Sequence, residues 1–243
     1  MAINGADVLG GNLAALGGPG CLQCPLERLA GRNYCGGCGR QLRTRSEHKQ
    51  VSVLFVDVSG FTALSERLDP EPVSEIMRRT FDILLGVVLE HGGTVNQFLG
   101  DGVMALFGEG QGEHHASRAL SAALAVREDL ETVRDEVRRR YGLEFRVRMA
   151  INTGPVGLGA IGAALRTDYT ATGSTTSLAS RLLCIAEPGQ IVLSDRTREL
   201  AAGRYDFRNL GEVSATESSE RVSVYALTRE TADVESWHQV PVE

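Results

Sequence analysis

Two aspartates occupy positions where their carboxylates could bind metal. Asp57 lies near the end of the apolar run VSVLFVDV, where a charge is costly unless a cation or hydrogen bonds hold it. Asp101 lies in a turn between the apolar runs TVNQFL and VMALF. If the strands that carry them are neighbours, the two side chains meet at one sheet edge, where hard oxygen ligands suit Mg²⁺ or Mn²⁺ bound with a triphosphate. The alternatives are a helix cap for Asp57 and an Asx turn for Asp101. We favour the metal because the two contexts occur together.

Four of the five cysteines form a second candidate site, with the pattern C-x2-C, ten residues, C-x2-C. They are Cys21, Cys24, Cys35 and Cys38. Two residues between thiols let one tight turn aim both sulfurs at one ion, and Zn²⁺ takes four such ligands. The spacing resembles a zinc ribbon, and four protein ligands would make the ion structural. Two redox pairs or four unrelated thiols are the alternatives. A redox pair normally lies beside a βαβ pattern, which is absent here.

The composition excludes several classes of protein. Hydrophobic residues make up 42% and charged residues 23% of the 243 residues, which excludes a largely disordered chain. Lys+Arg 25 against Asp+Glu 31 gives a net charge of −6, so no global positive field favours nucleic acid or anionic lipid. No stretch approaches the roughly 18 apolar residues of a membrane span, and the N-terminus lacks a secretory signal's positive region. We therefore expect a cytoplasmic protein that binds neither membranes nor nucleic acid.

The pattern along the chain predicts a small module followed by one large domain. The predicted parts are a flexible tail (1–20), the zinc ribbon (21–42), a linker (43–50), a main domain (51–228) and a C-terminal tail (229–243). Hydrophobic periodicity within the main domain predicts alternating strands and helices. The predicted strands are 51–58, TVNQFL, VMALF, 143–152, QIVL and two near 205–210 and 221–227. The predicted helices are a short one after Val58, then 71–91, 114–140, 174–187 and one from Ser194.

This order of elements predicts an α/β fold with a mixed sheet, since helices alternate with strands while two strand pairs are hairpins. A Gly-rich connection is predicted from the strand 143–152 to Tyr169. The remaining cysteine, Cys184, lies in the apolar segment LASRLLCIA and is predicted to fill the core.

Four segments of the main domain resemble the catalytic domain of class III nucleotidyl cyclases. In chain order they are FVDVSGFTALSE, GGTVNQFLGDGVMALFG, FRVRMAINTGPVGLGAIG and DYTATGSTTSLASRL, and the resemblance runs from about Val51 to Leu227. It implies an α+β sandwich with a ferredoxin-like βαββαβ core that works as a head-to-tail dimer, with nucleotide between the protomers. The implied chemistry is attack of the ribose 3′-oxygen on the α-phosphate with release of pyrophosphate. This family also includes members with an N-terminal zinc ribbon, which the cysteine module resembles.

The resemblance assigns roles residue by residue. Asp57, Asp101 and the Val58 carbonyl match the ligands of two Mg²⁺ or Mn²⁺ ions, and one structural Zn²⁺ would lie in the ribbon. Arg148 matches an arginine that grips the phosphate tail, and Arg181 matches one that stabilises the pentavalent phosphorus. The segment that begins at Ser59 matches a phosphate cradle formed by the backbone of Gly60, Phe61 and Thr62. Residues 154–168 match a dimerisation arm.

Four positions depart from the family's pattern or leave its reading open. Gln97 stands where adenylate-forming members usually carry a base-reading lysine, and Thr170 stands at the partner position, where Asp or Thr is common. An amide both donates and accepts hydrogen bonds, so Gln97 leaves the base open. Ser177 replaces an asparagine that orients ribose and transition state, and Thr216 replaces a phosphate-binding lysine. Metal and phosphate binding are therefore expected to persist, while base reading and ribose orientation are expected to differ.

Three functions follow as hypotheses. The first is a homodimeric cyclase acting on a nucleoside triphosphate, ATP by default, with a pyrimidine triphosphate (UTP or CTP) as the alternative. The second is a degenerate domain that binds nucleotide, or pairs with an active cyclase domain, without turnover. The third makes the cysteine module a reader of nucleic acid or protein, because Arg40, Arg43 and Arg45 lie beside it. Solvation is the commoner role of such linker charges.

Overall fold

The structure, a computed structural model, describes residues 47–108, 114–161, 168–201, 203–214 and 221–231. In chain order the elements are β1 (Glu47–Ser59), α1 (Phe61–Arg67), α2 (Pro70–Glu90), β2 (Thr94–Leu99), β3 (Gly102–Phe107), α3 (His115–Asp129), α4 (Glu131–Tyr141), β4 (Arg146–Ile161), β5 (Asp168–Thr172), α5 (Ser174–Ile185), β6 (Ile191–Ser194), α6 (Asp195–Leu200), β7 (Tyr205–Ser214) and β8 (Arg221–Glu230). The cysteines of the predicted zinc ribbon and Thr216 lie outside the described residues.

The described strands form one mixed sheet in the order β2-β3-β1-β4-β6-β8-β7, with β5 paired to β4 beside this path. β4 and β6 run parallel, and the other described pairs are antiparallel. The first four strands and the helices between them follow the order βαββαβ, with β1 and β3 in the middle of the four. The predicted α+β sandwich with a mixed sheet is therefore confirmed.

The core lies on both faces of the sheet because alternate strand residues point in opposite directions. On one face, Leu54 and Val56 of β1 pack in a large cluster with residues of α2, α3 and α4. On the other face, Val53 and Phe55 pack with Ala179 of α5. Apolar residues on both faces explain why β1 has an unbroken apolar run in the sequence. Asp57 lies two residues after Phe55, so its side chain leaves the same face of the sheet, the face covered by α5.

Helix α2 confirms the predicted helix over 71–91. Its buried residues recur at helical spacing and are Ile76, Met77, Thr80, Leu84, Val87 and Val88. Pro70 occupies the first turn, where its missing N–H has no intrahelical partner to lose. The outward face is charged, as in the Arg78–Asp82 pair at 3.0 Å. In the ranges given above, no helix is long and apolar enough to cross a membrane.

Two predicted boundaries of the main domain are wrong. The linker predicted over 43–50 is too long, because β1 begins at Glu47 and pairs its first residues with 155–158 of β4. The C-terminal tail predicted from 229 begins inside β8, which ends at Glu230 opposite Tyr205. In both cases a neighbouring strand supplies hydrogen-bond partners, so polar residues with modest strand preference extend the sheet.

The connection predicted between the strand 143–152 and Tyr169 is also wrong. β4 continues through this segment to Ile161, and β5 returns antiparallel beside it. Glycine is a weak strand former, so the sequence favours a loop here. Pairing of β4 with β1 on one side and β5 on the other overrides that preference.

The single helix predicted over 114–140 is two helices that meet at Leu130. This residue has φ −75° and ψ −8°, and the flattened ψ turns the chain between α3 and α4. Leu130 and the α4 residues Val133 and Val137 are buried in the same cluster as α3. The bend therefore keeps the apolar face of α4 on the core.

A chain of hydrogen-bonded polar side chains crosses the interior and is called the buried polar chain below. Its members are Ser52, His115, Asn152, Thr153, Ser194 and Thr197, all buried. The Ser52 hydroxyl lies 3.0 Å from His115 Nδ1 and 2.7 Å from Thr153 Oγ1. Thr197 Oγ1 donates to Thr153 Oγ1 at 3.0 Å, and the Ser194 and Thr197 hydroxyls lie 3.1 Å apart. These bonds satisfy polar groups that would otherwise be costly to bury.

His115 is expected to make stability fall in mild acid. Burial lowers the pKa of His115 below its usual value, and the Arg118 and Arg196 guanidinium groups lower it further. Below pH about 6.5 the unfolded chain binds a proton at this histidine that the folded chain does not, so the free energy of unfolding falls as pH decreases. The loss stops below the lowered folded pKa.

Urea unfolding of wild type and His115→Gln between pH 7.5 and 5 measures this effect. The wild type is expected to lose stability more steeply than the variant, since glutamine keeps a polar partner for Ser52 and does not titrate. Parallel curves for the two proteins would show that His115 is not the source.

Candidate active site

The sheet brings the segments around Asp57 and Asp101 side by side. Asp57 lies near the end of β1, directly opposite Gly102 of β3 on one side and Arg148 of β4 on the other. Asp101 precedes Gly102 by one residue, in the turn after β2. Paired strands are about 4.8 Å apart. Asp101 therefore lies one residue before the position that is directly opposite Asp57 on the neighbouring strand. The condition that their strands be neighbours is met.

Gly102 makes this close approach possible, and the sequence analysis did not single it out. A Cβ at Gly102 would lie 2.5 Å from the Val56 carbonyl oxygen and 3.4 Å from Asp57 Cα. Any side chain there would push β3 away from β1 and Asp101 away from Asp57. The glycine beside Asp101 is visible in the sequence. The β1–β3 register that leaves no room for a side chain there is set by pairing of segments far apart in the chain.

Arg148 contacts Asp57 directly. Its Nε donates to Asp57 Oδ2 at 2.7 Å, between side chains that are 35% and 21% exposed. The two residues are opposite each other in the β1–β4 pairing, so their side chains leave the same face of the sheet. Arg148, which is expected to bind a phosphate, therefore also binds the Asp57 carboxylate, which is expected to bind a metal ion.

The oxygen atoms at this sheet end have the chemistry of a magnesium or manganese site. The carboxylates of Asp57 and Asp101 and the Val58 carbonyl are hard ligands of the type these ions prefer. The Ser59 hydroxyl oxygen is buried and finds no hydrogen-bond partner in the described part of the chain. No group of three or more His, Cys, Asp or Glu that could hold a metal occurs among the described residues. The donor set fits an ion that takes its remaining ligands from a phosphate or water.

Gly60 turns the chain from β1 into α1. Its φ of +93° lies in the left-handed region, which favours glycine, and a Cβ there would lie 3.0 Å from the Glu144 carbonyl oxygen. The Gly60 carbonyl accepts the Leu64 N–H at 3.0 Å, so the helix begins immediately. Phe61 and Thr62 follow as its first residues, whose N–H groups have no partner within the helix.

Ser177 and Arg181 lie elsewhere, on the outer face of α5. Thr175, Ala179 and Leu182 are the buried residues of this helix, while Ser177 and Arg181 are exposed one turn apart. The Ser177 hydroxyl donates to the Gly173 carbonyl at 3.2 Å. Arg181 donates to the Ser214 carbonyl at 3.5 Å. Arg181 thus reaches the end of β7, which lies four strands away from the β1 that carries Asp57.

Gln97 lies on the edge strand β2 and is exposed. It is opposite Met104, which is opposite Phe55, so Gln97 lies on the α5 face. Its position is two residues along and two strands across from Asp57. A bulge at Asn96 precedes it. Thr170 is in β5 opposite Gly159, and its side chain lies outside the described residues.

Cys184 does not fill the core as predicted. The cysteine is exposed, because the buried positions of this segment are Ala179, Leu182 and Ala186. The segment LASRLLCIA contains enough apolar residues for more than one inward face, and packing on β4 and β6 selects the face without the cysteine.

The fold described above is that of nucleotidyl cyclase catalytic domains. The crystal structure of the adenylyl cyclase CyaB from P. aeruginosa superposes with a TM-score of 0.73 at 33% identity, covering 77% of this chain and 98% of that one. The guanylyl cyclase Cya2 gives 0.72 at 30% identity, covering 78% and 97%. Adenylate cyclase 1 of Rhizobium meliloti is 35% identical over 181 residues, which are 73% of this chain and 27% of that protein. The chain thus spans about a quarter of that relative's length.

Residues 44–229 match the family described as the adenylate and guanylate cyclase catalytic domain. The match covers more than half of the chain, so this protein belongs to that family. The two solved structures similar to this chain are an adenylyl cyclase and a guanylyl cyclase. Family membership therefore defines the class of domain and leaves the base to be argued from individual residues.

Proposed function

We propose that this protein is a nucleotidyl cyclase that converts a nucleoside triphosphate to a 3′,5′-cyclic nucleotide and pyrophosphate. In this reaction the ribose 3′-oxygen forms a bond to the α-phosphorus, the bond from that phosphorus to the bridging oxygen of the β-phosphate breaks, and the 3′-hydroxyl proton leaves to solvent. The observation that carries the proposal is the register that sets Asp57 opposite Gly102, next to Asp101. Two carboxylates so placed in a chain of this family support metal-assisted phosphoryl transfer.

Asp57, Asp101 and the Val58 carbonyl would hold two Mg²⁺ or Mn²⁺ ions. Bound there, the ions would acidify the 3′-hydroxyl and neutralise charge on the triphosphate. Arg148 holds Asp57 in place through a 2.7 Å bond from Nε. A guanidinium has five N–H donors, so the same side chain can hold Asp57 and also donate to a phosphate oxygen. The backbone of Gly60, Phe61 and Thr62 adds N–H donors for the phosphates.

The active site is proposed to form between two copies of the chain. Ser177 and Arg181 are exposed on α5, and Arg181 bonds to β7, four strands from its own Asp57, so a second copy can present them to the Asp57 of the first. Arg181 would stabilise charge on the α-phosphate as the bond order changes, and Ser177 would orient the ribose. Residues 154–168 would contribute to the contact between the copies. A homodimer built on a two-fold axis would have two such sites.

Base selection is proposed to depend on Gln97 and Thr170. The Gln97 side chain is exposed on the α5 face of the sheet, two residues along and two strands across from Asp57, where a base could reach it. An amide can pair with adenine, guanine or a pyrimidine edge, because it both donates and accepts. ATP is the proposed substrate, and UTP or CTP is the alternative that the absence of a lysine at this position supports.

A second candidate function is a nucleotide-binding domain without turnover. The Ser177 hydroxyl bonds back to the Gly173 carbonyl of its own helix, so this side chain is engaged where an asparagine would reach further. Losing one preorganised transition-state donor typically lowers turnover by about 10²–10³-fold. Metal and phosphate binding use Asp57, Asp101 and Arg148, and would survive that loss.

Purified protein with Mn²⁺ and each of ATP, GTP, UTP and CTP separates these candidates. Mass spectrometry is expected to detect one cyclic product and stoichiometric pyrophosphate, and the identity of the product assigns the base. Nucleotide binding without any cyclic product would favour the second candidate. Absence of both binding and product would remove the proposal.

A further inference from the structure

The buried polar chain ends at Asn152 of β4, whose side chain bonds to the first turn of α5. The Asn152 side chain is 4% exposed and makes two hydrogen bonds. Its Nδ2 donates to the Thr175 carbonyl at 2.8 Å, and its Oδ1 accepts from the Ser194 hydroxyl at 2.7 Å. A carbonyl can only accept, so the amide orientation is fixed by Thr175. The side chain therefore joins β6 on one side to the start of α5 on the other.

Thr175 is held by β4 in two further ways. Its Oγ1 donates to the Pro155 carbonyl at 2.8 Å. A Cβ on Gly154 would lie 2.6 Å from Thr175 Oγ1, so the absence of a side chain there lets α5 approach the strand. The backbone carbonyl and the side chain of Thr175 are thus both bound to β4 residues. These two hydrogen bonds hold the first turn of α5 on the sheet at Thr175.

Two of the proposed active-site residues lie on α5 a short distance after Thr175. Ser177 and Arg181 are two and six residues beyond Thr175 on the same helix. A helix of this length moves as a unit, so a shift or rotation of its first turn moves both side chains. Among the described residues, the Ser177 hydroxyl bonds to Gly173 at the start of its own helix, and Arg181 makes a long 3.5 Å contact to Ser214. Neither bond would hold the helix in register on β4.

We propose that Asn152 is a positioning residue that sets the placement of Ser177 and Arg181 through its hydrogen bond to Thr175. This inference rests on the proposed function for its catalytic consequence, while the anchoring itself is a property of the fold. Asn152 does not reach the substrate: it is buried under α5, and its effect passes through the helix. Its loss acts on the transition state that Arg181 stabilises and spares the metal and phosphate contacts around Asp57.

The test compares Asn152→Ala with a matched control, Thr197→Val. Thr197 is 0% exposed and belongs to the same buried polar chain, but its bonds run to Thr153 and Ser194 and not to α5. Asn152→Ala is expected to lower kcat by about 10-fold or more, because small misplacement of catalytic groups is costly, while KM stays within about 2-fold. Thr197→Val is expected to lower thermal stability with kcat and KM near wild type.

Hydrogen exchange supplies a readout that needs no turnover. The amides of residues 176–178 are expected to exchange faster in Asn152→Ala than in Thr197→Val or wild type. If the wild type makes no cyclic product, the proposed function fails, and the exchange rates alone decide the anchoring. Equal exchange and equal kcat in the two variants would overturn the inference.

Thr175→Val provides a second variant should Asn152→Ala fail to fold. It removes only the Thr175 Oγ1 bond to Pro155 and is the same substitution as the control at Thr197. It is expected to give the same pattern in weaker form, with lower kcat, unchanged KM and faster exchange in 176–178. A response identical to that of Thr197→Val would count against α5 anchoring.

Discussion

Asp57→Asn is expected to abolish most cyclic nucleotide formation, lowering kcat by at least about 10²–10³-fold, since it weakens a ligand shared by the metal ions that stabilise the reacting phosphate. Asparagine keeps the shape of the side chain and can still accept the Arg148 Nε–H through its amide oxygen. The fold should therefore be retained. The measurement is initial rate with saturating Mn²⁺ and the best substrate from the nucleotide panel.

The chain contains a closely matched control for this substitution. Asp206 on β7 accepts from Arg229 Nε at 2.7 Å, and the two residues are opposite each other on antiparallel strands, as Asp57 and Arg148 are. Asp206→Asn removes the same charge from the same type of cross-strand pair, away from the site. Its kcat is expected to stay near wild type. Equal losses in the two variants would assign the effect of Asp57 to the ion pair and not to metal binding.

Much of the sheet could be predicted from the sequence because its strands carry strong local signals. The apolar run 51–58 and the runs TVNQFL and VMALF on either side of Asp101 predicted three strands, and β1, β2 and β3 lie there. That β1 and β3 are neighbours was a condition in the sequence analysis, which their register meets. The polar start of β1 at Glu47 could not be predicted, because its partner is the far end of β4. Such extensions depend on pairing between distant segments, which local preference does not encode.

Some features of the candidate site could likewise be predicted from the sequence, and others could not. Asp57 and Asp101 were singled out by their positions beside apolar runs, and Arg181 was assigned by the family resemblance alone. The bond between Arg148 and Asp57 required the β1–β4 register, which sequence pattern alone does not give. Asn152 was missed because a polar residue inside an apolar strand is not informative until its partners are known. Burial of such a residue is favourable only with its hydrogen bonds made, which is a property of the packed structure.

The exposure of Arg181 and the position of Asp57 have a consequence for how the site is assembled. Arg181 is exposed on α5 and bonds to the Ser214 carbonyl of β7, while Asp57 lies with Arg148 near the end of β1, four strands away. On the proposed function, a single chain would present two half-sites, one with Asp57 and one with Arg181. Two copies related by a two-fold axis would complete each half-site with the complementary half of the other.

Arg181→Ala is accordingly expected to lower kcat by about 10²–10³-fold when present in both copies, since it removes a transition-state donor. Arg139→Ala, which removes an exposed helical arginine from α4, is expected to have little effect. Mixing Arg181→Ala with Asp57→Asn protein gives a stronger test. Each mixed dimer would have one site with both defects and one with neither, so subunit exchange at equal concentrations should restore about a quarter of wild-type activity. A mixture no more active than its components would show that one chain supplies both residues to a site.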